Sequence, residues 1–262
     1  MPHSSSRAGA TALTFQSMGT VVSIRLGGAI GADAALRDAA LGAAERVFRG
    51  WDERFSLYRE DSELSRIARG GLRLTEASAP LLDCYAVALA WRERTDGVFT
   101  PHRADGVLDL SGVVKGLAIA EAGEELVRLG IDAFSVNAGG DILVGGHPED
   151  GADWVTAIVD PGDRQSVLAN VSLTEPLRAI ATSGSAERGE HIWTAVDGGP
   201  SPYLQVSVFA PDIVTADVLA TTIIAGGQAA LDRSTAGFPI EVLAVLRDGR
   251  LLATPGLRRG PA

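Results

Sequence analysis

The chain has 262 residues, 46% of them hydrophobic and 21% charged, a balance that supports a packed core and excludes an intrinsically disordered chain. A net charge of −10 argues against nucleic acid as a main partner, because phosphate backbones are held by basic patches. The one cysteine, Cys84, excludes an intramolecular disulfide and any cysteine metal cluster, and its neighbours Leu82, Tyr85 and Leu89 mark it as a buried structural thiol.

Residues 1–13 are small and polar and are expected to be a disordered N-terminus, with 14–262 forming a single domain. Residues 14–26 read as a strand interrupted at Gly19, where a bulge or a close ligand approach is expected. Over residues 32–51, Leu36, Ala40, Ala43, Val47 and Trp51 recur at helical spacing and give one buried face. Tyr58 follows in F-S-L-Y-R-E-D-S-E-L, open to either packing or ligand contact. Thr75 is the expected N-cap of a second helix running to about residue 94, with Pro80 in its early turns.

The next stretch, D-L-S-G-V-V-K-G at 109–116, leads from a short apolar segment into a helix expected to start near Lys115 and to stop at Gly130. Backbone N–H groups at that N-terminus, the helix dipole and the Lys115 ammonium would together favour a phosphate. The spacing is not that of a Walker loop, since three residues separate Gly112 from Gly116 and no hydroxyl follows the lysine. Beyond it, N-A-G-G-D-I at 137–142 predicts a tight turn whose backbone can lie against something flat or charged.

Strands are expected at 154–159, 167–173, 177–181 and 204–209, followed by a helix capped by Thr215 and a closing hairpin around Asp248-Gly249. Strands and helices come in blocks without strict alternation, which predicts an α+β fold with largely antiparallel sheets flanked by helices. No run approaches the roughly 18 uninterrupted apolar residues of a membrane span, and residues 1–11 lack the apolar core of a secretory signal. The expectation is a cytoplasmic chain without a transmembrane segment, or an exported form already processed.

Asp217 and Thr221 stand four apart on the last long helix and offer two oxygen ligands to a hard cation such as Mg²⁺, although an acid near a helix start also suits the dipole alone. Ser183 and Gly184 leave a strand and can present a hydroxyl and an N–H to an anion, and His191 follows them. Neither a G-x-S-x-G elbow nor a dinucleotide G-x-G-x-x-G after a strand is present.

Seven motifs occur in order: M-G-T at 18–20, F-S-L-Y-R-E-D-S-E-L at 55–64, D-G-V-F-T-P at 96–101, D-L-S-G-V-V-K-G at 109–116, N-A-G-G-D-I at 137–142, A-T-S-G at 181–184 with Arg188 and His191-Ile192, and T-A-D-V-L-A-T-T at 215–222. Together they resemble the FAD:protein FMN transferases, the ApbE family. The resemblance implies an α+β pocket for FAD, Mg²⁺ at the pyrophosphate, and transfer of FMN to a threonine or serine of a flavin-accepting target protein with release of AMP. It implies that Met18, Tyr58, Phe99, Thr100, Asp109, Lys115, Ser183 and Ile192 bind FAD. The metal would fall to the Gly112 carbonyl, Asp217 and Thr221, and His191 would activate the acceptor hydroxyl. The chain departs from the family pattern where F-D-P-T becomes F-T-P-H, placing Thr100 at an acid and His102 at a hydroxyl, and the stretch from there to Asp109 is short. Two alternatives stay open at this point: a noncatalytic FAD-binding protein, and an FAD pyrophosphatase that uses water as acceptor.

Overall fold

The computed structural model describes residues 12–28, 33–148, 151–184 and 200–258. Ten strands and six helices follow one another as β1 (Leu13–Ser17), β2 (Thr20–Leu26), α1 (Ala34–Phe55), α2 (Glu63–Ala68), α3 (Ala79–Arg94), α4 (Ser111–Arg128), β3 (Phe134–Ala138), β4 (Asp141–Gly145), β5 (Trp154–Val159), β6 (Val167–Leu173), β7 (Ala179–Gly184), β8 (Tyr203–Ala210), α5 (Ile213–Gly237), β9 (Glu241–Leu246), β10 (Leu251–Ala253) and α6 (Pro255–Arg258) among the described residues. Eight strands form one antiparallel sheet in the order β1-β2-β3-β4-β7-β8-β9-β10, and β5 pairs with β6 in a separate hairpin. The α+β expectation with mostly antiparallel sheet therefore holds.

Two-residue periodicity divides the sheet into two apolar faces. Val206, Val208 and Ala210 of β8 join Val22, Ile24, Val136, Leu143, Val242 and Ala244 under the helices α1, α4 and α5. Phe209, Val144, Ile180 and Leu243 point the other way, against Ile158 and Leu173 of the β5–β6 hairpin. The helix α5 is long and apolar enough to cross a membrane by length and composition, but 78% of its apolar stretch is buried, so it serves as the central core helix.

Four sequence expectations are corrected. Gly19 does not interrupt a strand: Ser17 pairs with Thr20, and Met18 (φ 51°) with Gly19 (φ 71°) makes a two-residue turn whose positive φ values match the twist of the flanking strands. Thr75 falls in a short 3₁₀ turn, Leu74–Glu76, and α3 starts after Ser78, with Pro80 in its first turn where a missing N–H costs nothing. Helix α4 begins at Ser111 and not near Lys115, because the Asp109 carboxylate accepts from the Ser111 N–H at 2.9 Å and because Val113 and Val114 already belong to the buried face. Finally, Asp212 caps α5: its two carboxylate oxygens accept from the Thr215 N–H (2.8 Å) and hydroxyl (2.7 Å), so Thr215 is the group held and not the cap.

Helices α4 and α5 cross in close contact at Gly116. A Cβ placed there would meet the Val214 Cα at 3.1 Å and the Ile213 carbonyl oxygen at 3.4 Å, both backbone atoms that cannot rotate aside. Gly116→Leu should therefore force the two helices apart and cost about 1–3 kcal/mol of stability, the usual range for overpacking. Urea unfolding with an unchanged slope and a lower midpoint would register that loss.

Candidate active site

The end of the sheet carrying the two glycine turns also carries several of the candidate residues. Ala138 pairs with Asp141 across Gly139 (φ 63°) and Gly140 (φ 97°), and Gly140 donates its N–H to the Asn137 side chain at 2.9 Å. A Cβ on Gly139 would lie 2.6 Å from Thr20 Oγ1, so only glycine lets this turn pack against the Met18-Gly19 turn. Met18, half-buried on the main core, thus stands at the same end of the sheet as Asp141.

Asp141 faces the helices and is fully buried. Its Oδ1 accepts from the Thr182 N–H at 3.0 Å, and its Oδ2 contacts the ammonium of Lys115, which comes from the second turn of α4. The same ammonium lies 3.6 Å from Asp217 Oδ1 on α5, a residue only 1% exposed. One turn further along α5, Thr221 Oγ1 lies 3.2 Å from Ser183 Oγ at the end of β7. Lys115, Ser183, Asp217 and Thr221 thus come together from α4, β7 and α5, as four of the residues the sequence singled out.

Asp141, which the sequence offers only as the acid after two glycines, ties Lys115 to the sheet. The signal was the N-A-G-G-D turn itself, which places an acid at the first position of a strand whose inward face is buried.

Two buried carboxylates lie within reach of one ammonium. Burial pushes the Asp141 carboxyl up to about 6; Lys115 pulls it down and Asp217 raises it again. Because this lies above the ordinary 3.8, Asp141 favours the fold below about pH 4 and burdens it as pH rises through about 6. The cation-free protein should lose stability between those limits relative to Asp141→Asn. Paired thermal melts of the two proteins in chelator across this range measure the difference.

A buried carboxylate and a hydroxyl one helical turn apart suit a divalent cation. Asp217 and Thr221 supply hard oxygen ligands, and an ion such as Mg²⁺ needs few protein groups. Among the described residues no group of three or more His, Cys, Asp or Glu gathers as a softer-metal site would require. Gly112 lies in the first turn of α4, where its carbonyl takes part in the helix, and the Phe99 ring covers it: a Cβ there would sit 2.6 Å from Phe99 Cε2. Phe99 is accordingly buried.

Thr100 is exposed and accepts from the His102 N–H at 3.2 Å. The shortened stretch after it closes on itself as a small hairpin, with Asp109 N–H donating to the Pro101 carbonyl at 2.8 Å and Arg103 N–H to Val107 at 3.0 Å. This brings Asp109 to the start of α4, where its carboxylate already holds the first N–H. The phosphate-binding device expected at that N-terminus is therefore partly satisfied by Asp109, and Lys115 faces carboxylates. Tyr58 stands apart at 96% exposure after α1, which removes the packing reading. His191, Ile192 and Arg188 lie outside the described residues.

A family model described as the ApbE family matches residues 18–107 and 101–243. The chain is 33% identical over 162 residues to an FAD:protein FMN transferase of Rhodobacter capsulatus, covering 58% of this chain and 30% of that protein. It is 33% identical over 133 residues to one of Vibrio cholerae, covering 46% and 39% of the two chains. It thus spans roughly a third of the length of these curated relatives. Among solved structures, the flavin transferase ApbE of Vibrio cholerae superposes with a TM-score of 0.72 at 24% identity, over 95% of this chain and 98% of that one. The ApbE protein of Thermotoga maritima gives 0.73 at 22%, with the same coverage.

Proposed function

The chain belongs to the ApbE family, and from that premise we propose that it transfers FMN from FAD to a threonine or serine hydroxyl of a target protein, with Mg²⁺ and with release of AMP. The observation that carries the reading is the buried cluster in which Lys115 lies between Asp141 and Asp217 while Thr221 and Ser183 share a hydrogen bond beside it.

In this reaction the acceptor oxygen bonds to the phosphorus on the FMN side of the pyrophosphate. The bond from that phosphorus to the bridging oxygen breaks, the bridging oxygen leaves with AMP, and the acceptor proton passes to a base. Bound Mg²⁺ supplies neutralisation of charge on the phosphate oxygens. Asp217 and Thr221 would hold it from successive turns of one rigid helix, which fixes their separation without loop motion. Lys115 adds a positive charge at a site whose low dielectric makes it count. Asp109, by holding the first turn of α4, keeps Lys115 at a fixed height above the sheet. His191 would take the acceptor proton, a role that follows from the family motif. Met18 and Tyr58 would lie along the flavin, with Phe99, Thr100 and Ile192 nearby.

A site built around a pyrophosphate should favour FAD over FMN. Titration followed by flavin fluorescence is expected to give at least about tenfold tighter binding of FAD, corresponding to about 1.4 kcal/mol from the adenylate side. Equal competition by FMN would remove the pyrophosphate from the argument.

A further inference from the structure

The helix α5 is broken at Gly227 (φ 60°, ψ −147°), and the residues beyond the break share a small cavity with Thr222 and with the end of α3. The cavity measures about 30 Å³, and its polar wall consists of Arg94, Thr95, Asp96, Thr222, Arg233 and Ser234. Two of the three hydroxyls are already engaged: Thr95 donates to the Trp91 carbonyl at 2.8 Å, and Thr222 to the Val218 carbonyl at 2.7 Å. Ser234 differs. It is only 4% exposed, and its hydroxyl has no hydrogen-bond partner among the described residues.

The charged groups are unevenly matched. The Arg233 Nε lies 3.7 Å from Asp96 Oδ2, so one guanidinium has a carboxylate beside it. The other, Arg94, lies over the Trp91 ring at 4.2 Å and the Phe238 ring at 4.7 Å, and among the described residues no carboxylate pairs with it. Two guanidinium groups thus border the cavity against a single carboxylate. We propose that the cavity is a halide site, occupied by chloride in ordinary salt, in which the Ser234 hydroxyl donates to the ion while Arg94 and Arg233 supply the positive charge.

Size and preorganisation support this guest. About 30 Å³ holds one water-sized particle, which a chloride ion resembles and a four-oxygen anion exceeds. A buried hydroxyl without a partner is costly, and an anion relieves it as acceptor. Water would serve the hydroxyl equally well, so the excess of guanidinium groups is what favours a negative guest. Arg94 is already held by its two rings, so little further side-chain freedom is lost when the ion enters. An ion touching α3 and the far part of α5 together stabilises the fold according to its occupancy. Nothing in this site depends on the proposed FMN transfer.

Thermal melting of the whole chain, with sodium chloride replacing sodium gluconate at constant ionic strength, tests the site while general screening stays fixed. Gluconate is too large to be enclosed. The midpoint should rise with chloride and saturate, and bromide should act in the same way. The half-saturating chloride concentration should rise at least about threefold in Ser234→Ala and about tenfold in Arg94→Lys, which keeps the charge but loses the planar fork. In gluconate alone Ser234→Ala should melt like wild type, because its hydroxyl bonds nothing in the empty cavity. Excess broadening of the chloride NMR line, present in wild type and reduced in Ser234→Ala, gives a second reading. A midpoint that does not saturate with chloride would mean a water-filled cavity and would overturn the proposal. A response equal in wild type and Ser234→Ala would place the ion elsewhere and overturn it too; should Arg94→Lys not fold, that comparison alone decides.

Discussion

Asp217→Asn should reduce Mg²⁺-dependent FMN transfer by at least about 10²-fold, and no concentration of Mg²⁺ should restore it. A metal acting as Lewis acid on a phosphoryl oxygen contributes several kcal/mol to transition-state stabilisation, and each 1.4 kcal/mol is about tenfold in rate. The amide keeps the shape of the buried side chain but not the charge that holds a hard cation. Stability should survive the change, because the variant keeps the closer pair, Lys115 with Asp141. If Asp217 were only a favourable partner for the α5 dipole, activity would persist and the loss would be at most about 1 kcal/mol of stability. Activity against Mg²⁺ concentration, measured beside thermal melting, separates the two outcomes.

His191→Ala should slow transfer to the acceptor by about 10²- to 10⁴-fold, the range typical of a lost general base, while FAD affinity stays within about threefold. The two effects are expected to separate because the residues proposed for the pyrophosphate, Lys115, Asp217 and Thr221, are carried by α4 and α5. Slow release of AMP without covalent flavin is expected to remain, since water needs less positioning than a protein hydroxyl. FAD binding, AMP release and acceptor labelling on the one variant give the answer. Unchanged transfer with weakened FAD binding would make His191 a pocket residue.

Much of the fold was legible because it follows from local periodicity. The helical spacing of Leu36, Ala40, Ala43 and Val47 became α1, and the alternation in β8 became its two faces. Boundaries were less legible, and each miss has a local cause. The Thr75 hydroxyl resembles a cap, but Ser78 precedes the helix; Thr215 resembles a cap, but the acid three residues earlier holds it. In α5 the Asp212 carboxylate accepts from the first N–H groups, whereas Ser78 makes no side-chain cap bond to α3.

The site divides in the same way. Asp217 and Thr221 were legible because helical geometry alone puts residues four apart on one face. The pairing of Lys115 with Asp141 was not, since it depends on β4 meeting β7 and on α4 lying over β4, contacts between segments distant in the chain. Nor could spacing foresee that Asp109 would hold the first N–H of α4, or that Phe99 would be buried against Gly112. Those are properties of the small hairpin made by the shortened stretch from residue 101 to 109, whose closure needs the structure to be seen.

The central claim is most directly tested by incubating the purified chain with FAD, Mg²⁺ and an acceptor protein carrying a flavinylation threonine, then looking for flavin fluorescence on the acceptor in a denaturing gel. The account predicts a fluorescent acceptor band that depends on Mg²⁺, is absent with FMN in place of FAD, and is lost in Asp217→Asn. AMP released with no fluorescent band, or a band unaffected by Asp217→Asn, would contradict it.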